Sequence, residues 1–188
     1  MKIKLRPILL FSQLCLVVAS CNAKLSTESH DTTINGKIKL RNSASAESNL
    51  GDAMARLDTT KDLPDVFFKN KTGTEFLRLV FFPGDNKNTF SVFEVSKANA
   101  NQNASSSSFA NFTTESGIKL GLSKAEVIKR SGKDYKEIKS ENATKLRYEI
   151  DEKKDKEFLT RYNMPLYFVE YIFKNDLLEK YTLGFEYP

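Results

Sequence analysis

The sequence predicts an α+β fold, with short helices packed on an antiparallel β-sheet in two tandem units, and three observations carry that prediction. Apolar and polar residues alternate in short runs broken by turn residues, as in half-buried strands. One stretch, Gly117 to Gly132, spells out a complete short helix with both ends specified. The order of a lead-in, a helix and strands closing in a hairpin occurs twice along the chain, which is the signature of a repeated unit.

At the N-terminus, Lys2, Lys4 and Arg6 precede an apolar run from Ile8 to Ala19 interrupted only by Ser12 and Gln13. That run is too short to span a bilayer and reads as a secretion signal covering residues 1–20. Val18-Ala19-Ser20-Cys21 resembles the lipobox of bacterial lipoproteins. The resemblance implies cleavage before Cys21, acylation of its thiol (palmitate among the chains), and a mature protein anchored in a membrane of the cell envelope, facing the periplasm, with the outer membrane favoured. Cys15 would leave with the signal, so no disulfide would staple the fold.

Without Lys2, Lys4 and Arg6 the 29 basic residues fall to 26 against 24 acidic ones, a net of +2. The signs are interspersed, so no basic face points to nucleic acid. Residues 21–33 are small and polar and read as a flexible tether, with His30, the single histidine, inside it.

The first unit is expected over 34–96. Leu50, Met54 and Leu57 recur at helical spacing and place a helix from about Ala46 to Leu57. Val66 to Lys69, Glu75 to Phe82 and Phe90 to Val95 read as strands, the last two closing a hairpin through Pro83, Gly84, Asp85 and Asn86. Residues 97–112 are rich in Asn, Ala and Ser and read as a low-complexity linker or a long exposed loop.

The second unit is expected over 113–188. Ser123 at the N-cap and Glu126 three residues on form a capping box. Leu122 and Val127 are placed as a hydrophobic staple, and Gly132 ends the helix. Lys136 to Lys139 and Thr144 to Ile150 follow as a hairpin, and Asp151 to Glu157 reads as a solvated loop or helical turn. Tyr167, Val169, Tyr171 and Phe173 share one face of the next strand, and Tyr181, Leu183, Phe185 and Tyr187 share one face of the last. Both stripes read as core.

The segment G-L-S-K-A-E-V-I-K-R-S-G at Gly121 to Gly132, with Gly117 just before it, resembles the G-M-[ST]-x-x-[EQ]-V-x-x-x-x-G motif. That motif is shared by SmpA/BamE-like outer-membrane lipoproteins and the repeats of β-lactamase-inhibitor-protein-like (BLIP-like) domains. The resemblance implies small α+β units and a habit of binding proteins. It implies no catalytic residue.

Proton transfer or nucleophilic attack near neutral pH is usually supplied by His or Cys, and the expected fold has neither. No H-E-x-x-H, periodic Asp loop or Gly-rich phosphate loop is present. A non-enzymatic module is therefore expected, without cofactor or metal, binding a protein partner in the envelope as scaffold or inhibitor. By analogy with inhibitors, the hairpin tip Pro83-Gly84-Asp85-Asn86 is the candidate contact. The alternative is a lipid or glycan binder using the aromatic strands, which requires Phe76, Phe82, Tyr167 and Tyr171 to form an exposed patch.

Overall fold

The computed structural model describes residues 30–82, 89–98 and 103–186. Cys21 and the tip Pro83, Gly84, Asp85 and Asn86 lie outside the described residues, as does Tyr187. From Asp31 onward the chain is one unit, α+β, built on an eight-stranded sheet that is antiparallel except at one edge.

A two-stranded hairpin, β1 (Thr33–Ile34) and β2 (Ile38–Lys39), leads into helix α1 (Ser43–Leu50). The helix expected to run to Leu57 stops at Gly51, whose φ of 79° is open to glycine at little cost. Asp52 then takes the N–H of Ala55, and Met54–Arg56 form a separate 3-10 turn.

Strands β3 (Asp65–Lys69), β4 (Glu75–Phe81) and β5 (Phe90–Lys97) form an antiparallel meander. The segment expected as linker contributes β6 (Ser105–Ser106), which pairs in parallel with β3. Residues 103–112 differ from the expected free linker because backbone bonds and two aromatic rings hold them. Lys71 N–H donates to Phe109 O and Asn70 Nδ2 to Ala110 O, while Phe112 is fully buried and its N–H donates to Glu75 Oε2. The expected tether also gives way early. Asp31 and Thr33 are buried, Thr33 belongs to β1, and the Asp31 carboxylate takes the Ser116 N–H at 2.7 Å and its hydroxyl at 2.6 Å.

Helix α2 (Lys124–Ser131) precedes β7 (Lys136–Lys139) and β8 (Thr144–Ile150), the expected hairpin. The charge run is not a loop but the start of helix α3 (Glu152–Tyr162), which ends on left-handed Asn163. Asp151 caps the first turn through the N–H groups of Lys153 and Lys154. Asp155, in a non-helical conformation, caps a second start through the N–H of Phe158. Phe158 and Leu159 are buried, so the mixed charges lie on the outer side of a half-buried helix. Strands β9 (Leu166–Lys174) and β10 (Leu177–Glu186) complete the sheet, joined across left-handed Asn175 and Asp176.

The sheet order is β6-β3-β4-β5-β10-β9-β8-β7, so the last strands of the two expected units meet at its centre. Phe93, Val95, Tyr181, Leu183, Tyr171 and Leu146 lie on one face and join the helices in the main core. Tyrosine hydroxyls tie outlying backbone to this core: Tyr181 donates to Phe112 O at 3.0 Å and Tyr167 to Asp31 O.

Several irregularities recur on the two sides of the seam. Pairing of β4 with β5 skips Ser91, and pairing of β9 with β10 skips Glu179; both bulges lie just after the hairpin turn. Arg41 and Gly121 both have positive φ (59° and 83°) just before a helix N-cap. Both donate their N–H, at 2.9 Å, to the opening of a central strand, at Phe90 O and Leu178 O.

Candidate functional site

The face of the sheet turned away from the helices is the candidate site. Strand alternation that places aromatics in the core places one row of polar residues on this opposite face. The row runs Arg78, Glu94, Thr182, Glu170, Arg147, Lys136, each paired with the next across five strand boundaries, and Phe67 flanks it opposite Arg78. Asp65 at its edge is almost completely buried and is held by Arg78 (Nη2 to Oδ2 2.6 Å) and Lys61 (2.7 Å). Glu94 meets Lys180 at 2.5 Å. Arg147 bonds Glu170 (2.8 Å), Glu149 (2.7 Å) and Glu186, and its guanidinium lies 4.7 Å from the centre of the Phe168 ring.

These contacts fix the charge states. Burial alone would pull the Arg147 guanidinium down, but the carboxylates of Glu170, Glu149 and Glu186 outweigh it and raise its pKa. Glu170 is the converse case: burial pushes its carboxyl up, and bonds from Arg147 and Lys145 hold it below its ordinary range. Around Arg147 the opposite charges therefore hold one another in their ionised forms.

Beside the polar row runs an apolar one, Val80, Val92, Gly184 and Phe168, with Phe82 following β4. Val80, Val92, Phe168 and Phe82 floor a pocket of about 700 Å³. Its wall carries Asp62, Glu94 and Glu186 beside Arg78, with Leu63 45% exposed at the rim. Apolar floor, fixed polar groups and this volume are features of a binding site.

The four rings of the aromatic-platform alternative do not form a patch. Phe76, Phe82, Tyr167 and Tyr171 are 6%, 8%, 2% and 2% exposed.

The helix motif forms a structural corner. Ser123 Oγ takes the Glu126 N–H at 3.3 Å and the Glu126 carboxylate takes the Ser123 N–H at 2.9 Å, so the box is closed. The Ser123 N–H and then its hydroxyl, which donates to Glu126 Oε2 at 2.7 Å, hold the Glu126 carboxyl below its ordinary range. Leu122 and Val127 are buried, and Gly132 ends the helix at φ 84°. The helix start is docked on the β9–β10 turn: Gly121 N–H to Leu178 O (2.9 Å), Leu178 N–H to Leu122 O (2.8 Å), Lys124 N–H to Asp176 O (3.1 Å). At Gly117 a Cβ would lie 2.8 Å from Arg130 Nη1, whose guanidinium crosses the turn to Ser116 O. Ser123→Ala is expected to cost about 1 kcal/mol and Val127→Ala about 2–4 kcal/mol, while Lys129→Ala changes stability by about 0.5 kcal/mol or less. Thermal melts of the three check the order.

Sequence reasoning missed the polar row, although its signal was present. Arg78 stands at an outward position of a mostly apolar strand, and Arg147 and Glu149 at outward positions of an alternating one. Among the described residues no group of three or more His, Cys, Asp or Glu is placed to hold a metal ion. No described helix is long and apolar enough to cross a membrane. Searches among protein-family models, curated proteins and solved structures find no match.

Proposed function

We propose that this chain is a lipid-anchored, periplasm-facing module that binds a protein partner as scaffold or inhibitor and carries out no chemistry of its own. The observation that carries the reading is the pocketed sheet face, where an apolar floor is framed by charges already paired within the chain. Such a frame excludes wrong partners and fixes register without leaving a buried charge unmatched. The anchor rests on the lipobox-like Val18-Ala19-Ser20-Cys21, and the protein-binding habit on the motif at Gly121 to Gly132. Two tandem units of one ancestral design account for the matching bulges at Ser91 and Glu179 and the matching turns at Arg41 and Gly121.

Leu63→Asp tests the docking face, because a side chain this exposed can be replaced with about 0.5 kcal/mol or less of stability change. Cross-linking in intact membranes should capture a partner with the parent chain and lose it with Leu63→Asp, at equal protein level and unchanged melting. Equal capture by both chains would refute docking at this pocket. Cys21→Ala should convert the membrane-held mature chain to an unprocessed or soluble form, since one acyl chain gives only marginal binding and the several chains of a lipoprotein hold firmly. Unchanged retention together with a mature N-terminus elsewhere would refute the anchor.

A further inference from the structure

On the outer face of β10 the pocketed surface holds a polar group that the chain leaves without a partner. Thr182 lines the pocket, is 9% exposed, and its hydroxyl makes no hydrogen bond to any described residue. A buried polar group costs free energy until something bonds it. Its two neighbours across the sheet are carboxylates, Glu94 on β5 and Glu170 on β9. Glu170 is occupied by Arg147 and Lys145. Glu94 also lines the pocket, and Lys180 meets it through Oε2 at 2.5 Å, which leaves Oε1 facing no donor among the described residues. Thr182 and Glu94 therefore present a ligand with two side-by-side groups, one that can donate and one that only accepts.

The apolar side of the pocket has a gap of matching reach. Gly184, two residues along β10, pairs with Val92 on one side and Phe168 on the other and puts no side chain between them. Two residues of a strand span about 6.7 Å. A ring lying between Val92 and Phe168 therefore brings an oxygen on its far edge within one hydrogen bond of Thr182. The floor of Val80, Val92, Phe82 and Phe168 demands an apolar body, and the open pair demands one group that accepts from a hydroxyl and donates to a carboxylate. An ammonium only donates, a carboxylate would meet Glu94 with like charge, and a phenyl ring does neither. A phenol does both.

We propose that the partner docks by placing a tyrosine side chain in this pocket, its ring between Val92 and Phe168, its hydroxyl accepting from Thr182 and donating to Glu94. The inference rests on the reading of this face as a protein-docking surface and names the partner's anchor. Tyrosine suits that role, since rigid rings with a polar tip are among the few residues that carry most of the energy of an interface. The pocket, at about 700 Å³, also takes the residues on either side of the tyrosine.

The test titrates the full chain, in a neutral detergent without aromatic groups, with N-acetyltyrosinamide and follows the backbone amide NMR signals of Thr182 and Phe168. Both signals should shift and saturate with a Kd on the order of 1 mM, the range for so small a ligand. N-acetylphenylalaninamide and N-acetyl-O-methyltyrosinamide, which lack the donated proton, should bind about threefold to tenfold more weakly. Thr182→Val keeps the shape of the side chain and should lower affinity for the tyrosine probe by about the same factor, leaving affinity for the phenylalanine probe unchanged. Should this variant fail to fold, the O-methyl probe on the parent chain carries the same test. Equal affinity for all the aromatic probes, tighter binding of N-acetyllysinamide, or no shift at either signal overturns the proposal. So does a dimer that forms with the parent chain and is lost with Leu63→Asp, because a second copy would then occupy the face. The cross-linking of Leu63→Asp separates this inference from the reading beneath it. If the probes fail while capture is lost in that variant, only the tyrosine falls; if capture is equal in both chains, docking at the pocket falls with it.

Discussion

Gly184→Ala is expected to destabilise the chain by about 3 kcal/mol, at the upper end of overpacking effects. Gly184 lies on β10 opposite Val92 at the seam where β5 and β10 join the two sides of the sheet. A Cβ there would sit 2.4 Å from Ser91 O and 2.7 Å from Val92 Cα. Both obstructing atoms are backbone, so no rotamer change relieves the clash and the strands must part. The consequence falls on the joint itself. Gly73 supplies the contrast, because its φ is 73° but nothing lies within 4 Å of its would-be Cβ. Gly73→Ala should therefore cost only the left-handed penalty of about 1–2 kcal/mol. Urea unfolding of the two variants beside the parent measures the difference. If Gly184→Ala proves no worse than Gly73→Ala, close approach at the seam is not what holds the sheet together.

The parts of this fold legible in the sequence are those specified within a few residues. The box and terminal glycine of α2, the hairpin of β7 and β8, and the buried stripe of Tyr167, Tyr171 and Tyr181 all depend on local spacing, and each stands where spacing puts it. What was illegible depends on partners distant along the chain. Ser105 and Ser106 have no strand propensity of their own, and they pair because Lys69 offers its carbonyl to Ser107 and Phe112 is drawn under Tyr181. Arg147 looked like an outward surface residue, yet Glu170, Glu149 and Glu186 reach it from three strands. The paired charges of this face were therefore hidden while its strands were visible. The candidate tip at Pro83 to Asn86 was chosen by analogy and lies outside the described residues.

Helix α3 shows how a charge run can disguise a core element, and Phe158→Ala tests that interpretation with an expected loss of about 3–5 kcal/mol. Asp151, Glu152, Lys153, Lys154, Asp155, Lys156 and Glu157 dominate the composition, yet the two aspartates among them open successive turns and aim Phe158 inward. The Phe158 ring is 6% exposed and lies 5.2 Å from Tyr162, 5.3 Å from Tyr167 and 6.0 Å from Phe185. Its removal leaves a cavity among three rings, two of them on rigid central strands that cannot close over it. Lys156→Ala, on the exposed side, should change stability by about 0.5 kcal/mol or less. Near-UV circular dichroism and thermal melts of both variants decide the matter. A Phe158→Ala protein that melts like the parent would mean that α3 rests on the sheet without supporting it.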